Sequence, residues 1–230
     1  MIPGAGPDDS PAGEAAAAPL PRGRHGLSRE EVETSQRSRI LDAMIAAIDA
    51  DGYVEATLTD VTGRARVSRK TFYEHFEDKE ACFIAAFDDL FADLLAVARS
   101  AFDGPGEWPD RLGAALATVL ATLQDDRLVA RICFVESLTA GPRAARVRNT
   151  AMGHFGVLYQ PDADGDVTDV DRMTAQMLAG GLADVIYRRL VDPVPVDLRQ
   201  LLPDLLYPAL TMRLGPEDAR RTAERLLSRV

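Results

Sequence analysis

From residue 40 onward, large apolar residues recur every three or four positions, the spacing that lines one face of a helix. Ile40, Leu41, Met44, Ile45 and Ile48 form the first such run, and the pattern predicts a helix that starts at Ser35 and ends at Asp51 and Gly52, where glycine tolerates the left-handed terminating conformation. Thr59 reads as the cap of a short second helix carrying Val61 and Ala65. Val67 and Ser68 lead into a third over 69–76, and Asp78 caps a long fourth over 79–101. Further helical runs are predicted over 109–123, 128–138, 142–159, 170–190, 198–212 and 216–227, with Gly and Pro at the joins. No stretch sustains period-two alternation and no internal repeat is visible. The expected class is all-α, with a three-helix helix-turn-helix domain at 34–80 and a larger helical domain at 81–230.

Residues 1–33 break this pattern. They are rich in Pro, Gly and Ala with almost no large apolar side chain, which predicts a disordered tail. Arg22, Arg24, His25 and Arg29 make a small basic cluster there, either an arm for a minor groove or a solvated linker, diluted by Glu30, Glu31 and Glu33.

The 230 residues are 47% apolar and 27% charged, which excludes a collagen-like or mainly disordered chain. Cys82 and Cys133 stand far apart with no CxxC pair, so neither a disulfide scaffold nor a zinc finger is expected, and no metal or cofactor. Asp162, Asp164, Asp166, Asp169 and Asp171 resemble a calcium loop only superficially, because the Gly at position six and the Glu at twelve are missing in every register; they read as an acidic solvated loop. The longest charge-free stretch, residues 112–124, is shorter than the eighteen or so residues a membrane span needs, and no basic-then-apolar leader is visible. A cytoplasmic location without membrane contact is expected. No GxSxG, P-loop, HExxH or dinucleotide fingerprint occurs, so an enzyme is not expected.

Formal net charge is -10, from 26 basic and 36 acidic residues, and this argues against unspecific adhesion to nucleic acid. The position of the charges matters more. In the stretch LTDVTGRARVSRKTFYEHFEDK, residues 58–79, Leu58, Val61, Ala65 and Val67 are placed to pack against Phe72 and Phe76, leaving Arg69, Lys70, Tyr73 and Glu74 outward. Arg64, Arg66, Arg69 and Lys70 are uninterrupted by any acid, a local positive field at the start of the third helix. Such a helix start suits a DNA major groove, where Arg and Lys reach guanine O6 and N7 and the free backbone N–H groups favour phosphate. Tyr73, His75 and Lys79 are flanking phosphate donors. The plainer reading is a basic patch on an ordinary helix surface.

The segment VSRKTFYEHFEDKEACF resembles the TetR family signature, a recognition helix with a Tyr-x-His-Phe core followed by a Lys that starts the fourth helix. The resemblance covers residues 35 to about 90. It implies that Thr59 touches phosphate, that the reading segment begins at Ser68, that Arg69 and Lys70 face bases, and that Thr71, Tyr73, His75 and Lys79 contact the backbone of a double-stranded DNA operator. Glu74 is the odd residue of this helix: its carboxylate either accepts from a cytosine amino group or lies outside the groove, where phosphate repulsion favours it. Two positions depart from the family pattern. Arg66 stands where the turn usually has Gly, and Gly63 sits inside the second helix, each at a cost of about 1 kcal/mol.

For the larger domain the resemblance implies a homodimer formed by the last two long helices. Leu198, Leu201, Leu202, Leu205, Leu206, Ala209 and Leu210 give one of them a continuous apolar face, expected at the dimer surface unless it faces the monomer's own core. Ala179, Gly180 and Gly181 permit close approach on the other. A small-molecule cavity is implied near Phe134, Met152, Phe155, Tyr159 and Met177, with His154 and Glu136 as polar anchors. The implied function is that of a ligand-responsive transcriptional regulator, a repressor released from a palindromic operator when a small apolar effector repositions the fourth helix. The alternative is a helical interaction protein that keeps the fold with weak or no DNA binding.

Overall fold

Ser28 opens the first helix with a reciprocal capping box: its hydroxyl accepts from the Glu31 N–H at 3.2 Å, and the Glu31 carboxylate accepts from the Ser28 N–H at 2.6 Å. In this computed structural model, which describes residues 28–159 and 167–228, α1 (Arg29–Glu55) therefore starts well before the expected Ser35. Part of the expected tail, residues 29–33, belongs to this helix, where Arg29 and Glu33 pair at 2.8 Å. The remainder, residues 1–27 with Arg22, Arg24 and His25, lies outside the described residues, as do Asp162, Asp164 and Asp166. Gly52, at φ 78° and ψ 162°, kinks α1 near its end.

α2 (Leu58–Ala65) is capped by Thr57 rather than Thr59. The Thr57 hydroxyl accepts from the Asp60 N–H at 3.2 Å while the Asp60 carboxylate accepts from the Thr57 N–H at 2.9 Å. Arg66 ends the helix in the left-handed region, φ 54° and ψ 47°, with its N–H donating to the Gly63 carbonyl and the Val67 N–H to the Thr62 carbonyl. Ser68 caps α3 (Arg69–His75) by accepting from the Thr71 N–H at 3.0 Å, and Asp78 caps α4 (Lys79–Phe102) by accepting from the Ala81 N–H at 2.6 Å. Phe72, fully buried, and Phe76 join Ile40, Met44, Val61 and Ala65 in the core, which is why the other face of α3 is left to solvent.

α4 is the spine between the two parts. Phe83, Phe87 and Phe91 stack along it at centroid separations of 6.5 and 5.4 Å, and Phe91 meets Phe155 edge-on at 5.4 Å. α5 (Trp108–Asp125) packs along α4. The next helical path is not uniform: α6 (Arg127–Arg131) passes through a π-helical segment, Ile132–Glu136, into the short α7 (Ser137–Thr139). α8 (Pro142–Phe155) ends in a 3-10 turn, Gly156–Tyr159, whose Leu158 carbonyl accepts from the Trp108 indole N–H at 3.0 Å. α9 (Asp169–Val191) is capped by Thr168 with Asp171 as its reciprocal partner. After a 3-10 turn, Leu198–Leu201, come α10 (Leu202–Leu214) and α11 (Pro216–Leu227). The fold is all-α, and no strand occurs among the described residues.

Two expectations for the larger domain are corrected. Leu198, Leu201, Leu202, Leu205, Leu206, Ala209 and Leu210 are all buried within one chain, so the stripe faces the monomer core through its packing on α5 and α11. Met177, placed by sequence on an apolar cavity face, is 65% exposed on α9. Among the described residues no helix is long and apolar enough to cross a membrane.

Candidate nucleic-acid interface

The α2–α3 pair sets the chemistry of the exposed face. Because the buried Phe72 fixes the rotation of α3 about its axis, Arg69, Lys70, Tyr73 and Glu74 all point to solvent. The Arg69 guanidinium donates to the Thr59 hydroxyl at 2.7 Å, which ties the start of α3 to the first turn of α2 and places Thr59 and Arg69 on one surface. Thr59 thus reaches the predicted surface although the cap belongs to Thr57. Lys70 lies 3.8 Å from Glu74 one turn on, with both side chains more than half exposed, a pairing too solvated to hold the ammonium in place. Ser68 and Thr71 share a hydroxyl contact at 3.0 Å beside the free N–H end of the helix. Tyr73 sets its ring edge-on to Phe72 at 5.6 Å while remaining 56% exposed.

The last two predicted contacts are held differently. His75 is half-buried, with its Nε2 3.3 Å from the Gln36 amide oxygen of α1, so one ring nitrogen already serves the α1–α3 contact. Lys79 departs from the expectation. Its ammonium donates to the Tyr53 and Ala56 carbonyls at 2.9 and 2.8 Å and lies 4.2 Å from the Tyr53 ring centroid. Burial lowers its pKa, with the Glu55 charge opposing that shift. Its donors thus close the α1–α2 joint rather than face a phosphate.

Around that joint lies a group of contacts that periodicity does not announce. Glu136, at the end of the π-helical segment and buried, accepts from the Tyr53 backbone N–H at 3.0 Å and from the Arg131 guanidinium at 3.0 Å. It is therefore a strut onto the end of α1 and not a polar anchor in a ligand cavity. Glu80, on the first turn of α4, accepts from the Arg143 and Ala144 N–H groups at 2.7 and 3.0 Å and so caps the start of α8, while Arg143 pairs with Asp78 at 2.9 Å. The reading unit is thus joined to the larger domain through the α4 spine, the α8 start and the π-helical segment.

The predicted effector residues fall into different surroundings. Phe134 is fully buried on the π-helical segment, and Met152 and Phe155 are buried on α8. Tyr159 is partly buried against the core, and burial pushes its phenol up in pKa. An open cleft of about 390 Å³ lies between α4 and α8, with Phe91, Leu95, Val147 and Ala151 as its apolar side and Asp88, Arg146 and His154 as its polar one. Burial and the neighbouring Asp89 raise the Asp88 carboxyl above its ordinary value. Phe155 packs edge-on against Phe91, which lines this cleft, and Met152 lines a second cleft between α8 and α9.

Residues 40–86 match the model of the bacterial regulatory proteins of the tetR family. No curated relative matches the chain. Among solved structures, FadR of Bacillus subtilis in complex with stearoyl-CoA is similar over 77% of this chain and 98% of its own, at 17% identity and a TM-score of 0.62. Thermus thermophilus FadR, a transcriptional repressor in complex with lauroyl-CoA, is similar over 77% and 95%, at 22% identity and a TM-score of 0.61. A putative transcriptional regulator of Pseudomonas aeruginosa PAO1 is similar over 85% and 97%, at 22% identity and a TM-score of 0.62.

Proposed function

We propose, for a chain whose N-terminal domain belongs to the tetR family of bacterial regulatory proteins, that it is a repressor binding a palindromic operator as a homodimer and leaving it when a small molecule binds the larger domain. The observation that carries the reading is the solvent-facing start of α3. Arg69 braced on Thr59, together with Lys70, Ser68, Thr71 and Tyr73, presents cationic and hydroxyl donors on one surface while Phe72 anchors the helix beneath. Arg69 and Lys70 face base edges; Thr59, Ser68, Thr71, Tyr73 and one nitrogen of His75 serve phosphates. Lys79 acts indirectly, by holding the α1–α2 joint.

One reading helix makes few contacts, and a second copy about 34 Å away reaches the next major groove. The outer face of α9 and α10 suits the dimer better than the buried leucine stripe. Met173, Met177, Tyr207 and Met212 are exposed there, and Gly181 leaves room for a close crossing. The effector enters between α4, α8 and α9. Its binding acts on the reading unit through Glu80 and Glu136, and by linkage the operator weakens effector binding to the same degree.

A footprint on DNA flanking the coding region, at low salt and without effector, is the test. Protection of an inverted repeat supports the proposal. The commitment of Lys79 within the protein, together with the net charge of -10, favours the second reading, a helical interaction protein with little DNA affinity. Absence of protection on every fragment establishes that reading instead.

A further inference from the structure

Among the described residues of the larger domain, Arg148 of α8 is a poorly satisfied cation. Among the described residues its buried Nε has no hydrogen-bond partner, and the guanidinium's one hydrogen bond runs to the Asn149 side-chain oxygen at 3.5 Å, the limit of such a bond. A partly desolvated guanidinium normally faces a carboxylate, because leaving it unpaired forfeits hydration without return. The ionisable group acting on it is the Cys133 thiol of the π-helical segment, and burial pushes that thiol up to about 12, so it stays neutral and supplies no counter-charge. Arg148 lines a polar cleft of about 320 Å³ between α8 and α9. Asn149 and Gln176 supply amides to it, Met152 an apolar wall, and a side-chain carbon built on Gly153 or Gly180 would meet nothing within 4 Å.

We infer that this cleft is an oxyanion site, in which Arg148 takes the carboxylate of a small organic acid, the Asn149 and Gln176 amides donate to its free oxygen, and its apolar part lies against Met152. This rests on the effector reading above and names the ligand's chemical class. α9, which forms one wall of the cleft, packs on the π-helical segment that carries Cys133 and, three residues on, Glu136, whose carboxylate holds the Tyr53 N–H near the end of α1. The same acid therefore has a short mechanical route to the reading unit.

The test uses the full chain without DNA, with sodium octanoate and sodium benzoate as probes and octanamide as the uncharged match, measured by titration calorimetry. Saturable binding of a carboxylate, at least tenfold weaker in Arg148→Gln, partly kept in Arg148→Lys and absent for octanamide, supports the inference. Equal binding by Arg148→Gln, equal binding of octanamide, or no saturation by either acid overturns it. Sedimentation of the same variants separates a free acid from a carboxylate of a second copy: a shift of Arg148→Gln to a smaller species overturns the free-acid site. Thermal melting guards against loss of fold. Removal of an unpaired cation in Arg148→Met raises the ligand-free melting temperature or leaves it unchanged, and a clear fall contradicts the site. An operator footprint obtained separately distinguishes failure of this cleft from failure of the regulator reading.

Discussion

Replacing Glu136 by Ala removes the acceptor for a backbone N–H more than eighty residues away in sequence. The Tyr53 N–H that donates to it at 3.0 Å sits on a residue only 7% exposed, so water reaches it poorly once the carboxylate is gone. An orphaned buried N–H costs roughly 1–3 kcal/mol. Arg131, the other partner, has a side chain 38% exposed and recovers hydration, so its share is below about 1 kcal/mol. The expected total is about 2–3 kcal/mol in urea unfolding followed by circular dichroism. Glu136→Gln keeps one acceptor oxygen and should lose about half as much. Amide hydrogen exchange adds a local readout, since Tyr53 should lose protection in the Ala variant before the rest of the core does. A Glu136→Ala protein within about 0.5 kcal/mol of the parent, with Tyr53 exchange unchanged, would refute the strut.

Four further outcomes are expected. Arg66→Gly relieves a left-handed arginine and should stabilise the protein by up to about 1 kcal/mol, less the added freedom of the unfolded chain, read as a higher urea midpoint; a lower midpoint contradicts the strain. Phe155→Ala empties a buried site against Phe91 and should cost roughly 3–5 kcal/mol in the same assay. The Thr57 hydroxyl and N–H hold the Asp60 carboxyl below its ordinary 3.8, so this group contributes stability above that pH and loses it as pH falls through the lower folded value. Asp60→Asn should therefore flatten the acid limb of a pH–stability curve, and an unchanged limb argues against the cap. Arg69→Ala should weaken operator binding by roughly 1–3 kcal/mol in a mobility-shift titration without altering the melting temperature by more than a degree or two.

Local chemistry was legible where a short pattern determines its own outcome. The Asp78 cap, the Phe72–Phe76 pair and the outward Arg69 and Lys70 all follow from spacing within one or two turns, and the structure places them so. Two misplacements concern signals that were present in the chain. Ser28 with Glu31, and Thr57 with Asp60, are capping boxes, and each outranks the position chosen from hydrophobic periodicity or from a lone threonine. The leucine stripe of α10 shows a different limit. Periodicity establishes that one face is covered, but a monomer core and a partner subunit demand the same residues, and here α5 and α11 of the same chain cover it. Lys79, Glu136 and Glu80 belong to a third kind. Each binds backbone groups more than twenty residues away, a pairing that carries no periodic signal. The π-helical turn at Ile132–Glu136 is equally silent, because its apolar spacing is compatible with an ordinary helix.

The central claim, that the exposed cationic start of α3 lies in a DNA groove, is tested most directly by the salt dependence of operator affinity for the parent protein and Lys70→Ala side by side. The account predicts a steep fall in affinity with rising salt for the parent, and in the variant weaker binding with a loss of base preference at one position of the operator. Identical affinity, slope and sequence preference for the two proteins would contradict it.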